Sequence, residues 1–182
     1  EFKHPTSKGD KDIEYAIHLM QYLGDLYVQT KPQAQPESPK AIAGGLVEES
    51  KRGHCYNDSI LLATLLQKEG YFVRLLALTG KDGMGGAVHS VIEVWSSKLK
   101  KWILLDPQQI AYFADETGQL LSTYEVRMLV MNGNFGSIQV RQHPRGFQVK
   151  TNELESFYTK VMPDLHFLAN NRYFTNFESS WV

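Results

Sequence analysis

The chain contains a single cysteine, Cys55, in 182 residues. One cysteine cannot form a disulfide within the chain, so its presence must be explained by packing, by metal binding or by reactivity. A domain of this length buries enough surface to fold without cross-links. Because the composition, with 42% hydrophobic and 21% charged residues, is that of an ordinary globular protein, we expect one domain over residues 1–182.

Excess charge of one sign and long apolar runs are also missing. Nineteen Lys and Arg residues stand against twenty Asp and Glu residues, so no basic field is strong enough to hold a nucleic acid backbone. The longest apolar stretches are 60–66 and 71–78, the second broken by Arg74, and both fall well short of the ~20 residues that span a bilayer. We therefore expect neither a nucleic acid partner nor a membrane span, and the composition leaves the localisation open.

Two segments have the apolar pattern of helices. Residues 10–30 carry apolar side chains on one helical face, with Asp10 in the N-cap position. A second helix begins near Cys55 and ends at Gly70, and because it is apolar over most of its circumference we expect it at the centre of the fold. Between the two helices, three prolines within residues 31–40 predict an extended connector. The apolar positions of the first helix are Ile13, Ala16, Ile17, Met20 and Leu23.

Three strands are predicted from their aromatic and β-branched residues, at 71–79, 88–95 and 101–106. A hairpin centred between Ser97 and Lys98 would pair the last two strands, and in that register His89 lies directly opposite Asp106. Directly opposed residues have Cβ atoms about 4.5–5.5 Å apart. The spacing therefore predicts an imidazole and a carboxylate in contact, provided that no bulge interrupts the pairing.

Antiparallel sheet is predicted to continue beyond the third strand. Residues 120–131 and 135–141 flank Asn132-Gly133, which is a strong signal for a two-residue hairpin turn. Both flanking segments are therefore predicted as strands. They would form a sheet extension within the C-terminal region 111–182.

The end of the chain predicts a short helix and an irregular tail. Asn152 and Glu155 have the spacing of a capping box, for a helix that must end before Pro163. The tail over residues 167–181 carries aromatic side chains without a regular period. We expect it to pack back on the domain as an aromatic clasp, with binding of a protein partner as the alternative.

Cys55 stands where a helix start favours a reactive thiol. Unpaired backbone N–H groups and the positive end of the helix dipole favour a thiolate over a thiol at that place. A thiolate, a histidine that exchanges protons with it and an acid that orients the histidine are the parts of a Cys-His-Asp acyl-transfer site. Cys55, His89 and Asp106 are the candidates for these three roles.

The motifs around these residues resemble those of the transglutaminase-like superfamily over residues 50–110. They are Gly53-His54-Cys55 before an apolar helix, His89-Ser90-Val91-Ile92-Glu93-Val94, and Trp102-Ile103-Leu104-Leu105-Asp106-Pro107. The resemblance implies an α+β, papain-like fold in which a central helix bearing the nucleophile packs on an antiparallel β-sheet, with a catalytic core at about 41–110. It also implies that Cys55 is the nucleophile, His89 the general base and acid, and Asp106 the orienting carboxylate.

Two positions depart from the pattern of the superfamily. Val91 stands where many members have an aromatic residue, and Ser90 where several have Gly or Ala. Neither belongs to the three candidate residues, but both bear on the shape of the acceptor side. The backbone N–H of Cys55 is the natural first oxyanion donor, and the second donor is not assigned.

The resemblance and the three candidates together predict a cysteine-dependent acyl-transfer enzyme with a peptide or protein substrate. Amide hydrolysis by a peptidase or amidase is favoured over transfer by a protein-glutamine transferase, because the chain has no Ca²⁺ loop of EF-hand pattern and many compact members hydrolyse. The alternative from another class is a catalytically silent module that binds a protein or glycan partner. A redox sensor is disfavoured because no second cysteine can resolve an oxidised thiol.

Neither a cofactor nor a metal ion is expected. The glycine-rich segment 81–86 joins two strands, opens no helix and lacks the Gly-Lys-Ser/Thr ending of a phosphate loop, so it suits the rim of a cleft better. A zinc site would have to combine His54, Cys55, His89 and Asp106. Adjacent residues such as His54 and Cys55 point in different directions, which disfavours that set.

Overall fold

The computed structural model describes residues 13–26, 55–80, 88–143 and 151–167. Four α-helices and six β-strands follow one another within these stretches. In chain order they are α1 (Ile13–Leu26), α2 (Cys55–Lys68), β1 (Val73–Thr79), β2 (Val88–Ser96), β3 (Lys101–Asp106), β4 (Ala111–Ala114), α3 (Thr123–Met131), β5 (Gln139–Gln142), α4 (Thr151–Val161) and β6 (Asp164–Phe167). The strands form one antiparallel sheet in the order β5-β4-β3-β2-β1-β6. This confirms the predicted α+β class and its antiparallel sheet.

One face of the sheet is covered by α1 and α2. Ten of the 14 residues of α2 are buried, which confirms the prediction of a central helix. Its C-terminus turns at Gly70, whose φ of 77° lies in the left-handed region. The N–H groups of Gly70 and Tyr71 bond back to the carbonyls of Gln67 and Leu66, at 2.8 and 3.0 Å, and close the helix end. The sheet residues of this core layer are Leu75, Ile92, Val94, Ile103 and Leu105.

The other face of the sheet is covered by α3 and α4. Side chains of β1 to β4 form its core with Val126 and Val130 of α3 and with Leu154, Tyr158 and Val161 of α4. Both faces of the central strands are therefore buried. This explains why these strands carry nearly continuous apolar runs instead of an apolar and polar alternation. The sheet residues of this second layer are Leu76, Leu78, Val91, Leu104 and Phe113.

The predicted register of the β2–β3 hairpin is wrong by two residues. Trp95 pairs with Trp102 and Ser96 with Lys101, so the loop has four residues, 97–100. The loop is held by the N–H of Leu99, which donates to Ser96 Oγ at 3.1 Å. A slip of two residues leaves every side chain on its original face of the sheet. The predicted placement of the histidine and the acid on one face therefore survives the error in register.

Residues 120–131 do not form the predicted strand. Their second part is the helix α3, which begins with a capping box between Ser122 and Glu125. The Asn132-Gly133 pair ends this helix: the N–H of Gly133 bonds to the carbonyl of Val130 at 3.0 Å, and that of Asn134 to the carbonyl of Leu129 at 2.8 Å. Gly133 has a φ of 72°. The same left-handed glycine suits a hairpin turn and a helix C-terminus, so the dipeptide was ambiguous.

The remaining elements are close to prediction. α1 covers 13–26 of the predicted 10–30, and its five predicted apolar positions are buried. α4 ends at Val161 as expected, although it begins at Thr151, so Asn152 lies inside the helix and not at its N-cap. The strand β5 confirms part of 135–141, whereas β6 was not predicted, since four residues are too few for a clear period.

Four features of the sequence analysis lie outside the described residues. They are Asp10, the connector 31–40, the glycine-rich segment 81–86 and residues 168–182 of the aromatic tail. No helix in the described part of the chain is both long and apolar enough to cross a membrane.

Candidate active site

Cys55 is the first residue of α2 and forms no disulfide. Its side chain is buried, with 5% of its surface exposed. The N–H groups of a first helical turn have no partner within the helix, so an anion at this place is stabilised by them and by the helix dipole. The sulfur therefore lies at the electropositive end of the central helix.

A buried hydrogen bond ties α2 to the strand that carries His89. Ser59 Oγ donates to the backbone carbonyl of Ser90 at 2.9 Å. Ser59 lies one helical turn after Cys55, and Ser90 directly follows His89. The bond uses the carbonyl of residue 90, which any amino acid supplies, so the departure from the family pattern at Ser90 does not affect it.

His89 and Asp106 are in direct contact. His89 Nε2 lies 2.6 Å from Asp106 Oδ2, and the side chains are 2% and 0% exposed. Because β2 and β3 pair two residues out of the predicted register, the two residues are diagonal neighbours on one sheet face and not an opposed pair. Diagonal neighbours lie farther apart at Cβ but remain within reach of long side chains.

The His89 ring also forms a hydrogen bond with the Cys55 side chain. Since Asp106 occupies Nε2, Nδ1 is the ring nitrogen left for the sulfur. The three predicted site residues are thus brought together in a line, with the imidazole between the thiol and the carboxylate. Within the described residues no group of three or more His, Cys, Asp or Glu side chains converges as a metal site.

The surroundings of His89 favour its charged form. Burial by itself lowers the pKa of the ring, but the negative charge of Asp106 and the hydrogen bonds to Asp106 and Cys55 outweigh it and raise the pKa from 6.5 to about 10. An imidazolium at neutral pH is the partner that stabilises a neighbouring thiolate. His89 therefore carries a positive charge at neutral pH and is hydrogen-bonded to the Cys55 side chain.

Asp106 accepts three hydrogen bonds, of which only the one from His89 was predicted. The Tyr158 hydroxyl donates to Oδ2 at 2.7 Å, and the backbone N–H of Gln109 donates to Oδ1 at 3.0 Å. Burial raises the pKa of Asp106, but the charge of His89 and these three bonds more than offset it and lower the pKa below its usual value. The carboxyl group stays ionised and acts only as an acceptor.

Tyr158 and its neighbour Phe157 are the site residues that the sequence analysis missed. Both lie on α4, and Phe157 meets the His89 ring edge-on with ring centroids 5.1 Å apart. Leu154, Tyr158 and Val161 have helical spacing, which predicts that Tyr158 is buried. Nothing in that spacing indicates which polar group its hydroxyl meets, because the partner is 52 residues away in the sequence.

A model of the transglutaminase-like superfamily matches residues 2–107, more than half of the 182-residue chain. The matched part includes the three predicted site residues and extends farther toward the N-terminus than the motifs at 50–110. No curated protein and no solved structure matched the chain. The family match agrees with a central helix that begins at a cysteine and packs on an antiparallel sheet, and the chain belongs to the transglutaminase-like superfamily.

Proposed function

We propose that this protein is a cysteine-dependent acyl-transfer enzyme in which Cys55, His89 and Asp106 form the catalytic triad. Members of the superfamily usually carry out acyl transfer or hydrolysis through a cysteine. The observation that carries the proposal is the position of the His89 ring, which is hydrogen-bonded to Cys55 on one side and lies 2.6 Å from Asp106 on the other. A buried line of thiol, imidazole and carboxylate is the arrangement that nucleophilic catalysis by cysteine requires.

The first half of the reaction is attack by the Cys55 thiolate on an amide carbonyl. The tetrahedral oxyanion that forms is stabilised by the backbone N–H of Cys55 at the start of α2. When the C–N bond breaks, the His89 imidazolium gives its Nδ1 proton to the leaving amine, and a thioester on Cys55 remains. Asp106 holds the ring in position through Nε2 and stabilises its positive charge.

The second half of the reaction releases the acyl group. Neutral His89 takes a proton from water, the hydroxide attacks the thioester, and the Cys55 thiolate and a carboxylic acid are formed. With a primary amine in place of water, the same step gives a new amide. We propose hydrolysis of a peptide or related amide as the principal reaction. A test of this proposal must therefore distinguish water from a primary amine as the acceptor of the acyl group.

Incubation with a glutamine-containing peptide library and a primary amine, followed by mass spectrometry, tests this proposal. Release of fragments indicates hydrolysis, and incorporation of the amine at glutamine indicates transfer. The matched control is the Cys55→Ser variant, which keeps the size of the side chain but loses about 10³-fold or more of the activity. Equal turnover by Cys55→Ser and wild type would exclude the thiol mechanism.

Alkylation by iodoacetamide tests the proposed ion pair between the Cys55 thiolate and the His89 imidazolium without any substrate. The small reagent suits a thiol that is 5% exposed. We expect Cys55 to react at pH 6 faster than a free thiol in solution, because the imidazolium of His89 stabilises the thiolate. The variant His89→Gln should lose this faster alkylation of Cys55 at pH 6. A wild-type rate at or below that of the free thiol contradicts the ion pair and leaves a non-catalytic module of this fold as the better explanation.

A further inference from the structure

The Tyr158 hydroxyl is placed on the carboxylate oxygen that also binds His89. It donates to Asp106 Oδ2 at 2.7 Å, and His89 Nε2 lies 2.6 Å from the same oxygen. Tyr158 and Asp106 are both 0% exposed. In this environment a hydrogen bond to an ionised group is stronger than one between neutral groups, and the bond restricts the rotation of the carboxylate.

The ring of Tyr158 is held independently of its hydroxyl. It meets Phe113 edge-on with centroids 5.1 Å apart, meets Phe157 in the same manner at 5.1 Å, and lies nearly parallel to Phe135 at 6.5 Å. A phenylalanine at position 158 would keep these contacts. A buried hydroxyl costs free energy unless it is hydrogen-bonded, so the oxygen at this position is explained by Asp106 and not by packing.

Helix α4 thus contacts both members of the His89–Asp106 pair through consecutive residues. Phe157 packs edge-on against the imidazole, and Tyr158 bonds to the carboxylate. This helix lies beyond residues 2–107, the part of the chain that matches the superfamily. The support for the triad therefore comes from the C-terminal region, which the family match does not cover.

We propose that Tyr158 is a positioning residue of the candidate active site, whose hydroxyl orients Asp106 and through it holds the His89 imidazolium beside Cys55. The inference rests on the proposed function for its kinetic consequence. Its physical content, the control of His89 by Tyr158, can be measured whether or not the protein is active. Burial and the negative charge of Asp106 raise the pKa of Tyr158 well above 10.0. The hydroxyl therefore keeps its proton and remains a donor at neutral pH.

The kinetic experiment compares Tyr158→Phe with wild type and with Tyr124→Phe. Tyr124 is 62% exposed on α3 and takes no part in the site, so its variant is a matched control for the loss of one hydroxyl. For Tyr158→Phe we expect kcat to fall about tenfold, as for the loss of one hydrogen bond to a charged group, with KM nearly unchanged. A merely structural role predicts a lower melting temperature with the wild-type kcat.

The pH profile separates positioning from packing. The titratable groups that face Asp106 among the described residues are His89 from β2 and Tyr158 from α4, with Cys55 on α2 behind His89. If Tyr158 holds the carboxylate on the ring, its loss weakens the Asp106–His89 bond, and the imidazolium loses its proton at lower pH. The alkaline limb of kcat/KM should then move to lower pH in Tyr158→Phe and remain in place in Tyr124→Phe.

Nuclear magnetic resonance of the ¹⁵N-labelled His89 ring makes the test independent of turnover. A lower pKa of His89 in Tyr158→Phe than in wild type supports the inference, even if the protein hydrolyses no substrate. An unchanged or higher pKa overturns it, even if the protein is an active enzyme. Wild-type protein that shows neither turnover nor thiol reactivity would contradict the proposed function but not the role of Tyr158. Failure of the proposed function and failure of the inference are therefore distinguishable.

Discussion

Two buried carboxylates lie on the same face of the central sheet, and their partners differ in kind. Glu93 is 1% exposed and is bound by Arg74, whose Nε lies 2.6 Å away, and by the backbone N–H of Thr123 at 2.8 Å. Arg74 is one-third exposed and lies over the Trp102 ring at 4.2 Å. Asp106 is bound instead by a histidine and a tyrosine that are themselves buried.

The difference sets Asp106, the carboxylate of the proposed triad, apart from Glu93, whose charged partner is an arginine. Arginine keeps its charge at every accessible pH, so Arg74 exchanges no proton with Glu93, and the contacts of Glu93 link β1, β2 and the start of α3. Of the three groups that bind Asp106, the His89 ring can exchange a proton, and this ring also contacts a thiol. Burial of charge is therefore not enough to identify a site, whereas burial among titratable partners is a useful sign.

The largest expected effect is that of Asp106→Asn on activity. The amide has nearly the shape of the carboxylate but lacks its charge, and it favours the wrong tautomer of the ring. We expect kcat/KM to fall about 10³–10⁴-fold, with the folded state retained. Steady-state kinetics and circular dichroism check this. A variant with activity close to wild type would place Asp106 in the same structural class as Glu93.

Glu93→Gln is expected to show the opposite pattern. The amide oxygen can still accept the N–H of Thr123, but the charged bonds to Arg74 are lost, so the free energy of unfolding should fall by about 2 kcal/mol. Urea unfolding measures this, and a double-mutant cycle with Arg74→Met isolates the pair. We expect kcat to stay within about twofold of wild type, and a larger loss would show that Glu93 also serves the site.

The pH dependence of stability should distinguish the two carboxylates through their partners, because Asp106 is paired with His89 and Glu93 with Arg74. The pKa of His89 is about 10 in the folded state and 6.5 as an ordinary value, so its contribution is fully present below pH 6.5 and is lost as the pH rises through about 10. Between these limits the folded state holds one more proton, and stability falls by about 1.4 kcal/mol per pH unit from this group. Unfolding at a series of pH values should give a shallower slope in His89→Gln and the wild-type slope in Glu93→Gln. Equal slopes in all three proteins contradict the raised pKa.

The smallest expected effect comes from Gly24→Ala, which acts on the turn after Asp106. A Cβ at Gly24 would come within 3.0 Å of the Ile110 side chain, and Ile110 has a φ of 47°, which a β-branched residue rarely adopts. Displacement of Ile110 should destabilise the protein by about 1–2 kcal/mol. Thermal unfolding measures this, with Gly136→Ala as control, since nothing lies within 4 Å of a Cβ built there. Equal melting temperatures for the two variants would mean that Ile110 adjusts freely.

Local patterns predicted most of the core but not the contacts between distant segments. The helix that begins at Cys55 and the strands around His89 and Asp106 stand out as nearly continuous apolar runs, and the two-residue slip of the hairpin left the faces unchanged. Asn132-Gly133 does not distinguish a hairpin turn from a helix end, because a left-handed glycine serves both motifs. The Ser122–Glu125 capping box is the signal in the sequence that favours the helix. Tyr158 could not be assigned to Asp106, since only the packing of α4 on the sheet brings them together.

The hydrogen bond from Ser59 to the carbonyl of Ser90 limits how far the Cys55 sulfur and the His89 imidazole can move relative to each other. Its donor and acceptor belong to the interior of the molecule, where side chains have little room to move. The alignment of the Cys55 thiol and the His89 ring is therefore insulated from the outer surface. Substitutions there can change access to the thiol while the sulfur and the ring keep their mutual distance, so selectivity and chemical competence of the proposed enzyme could be engineered as separate properties.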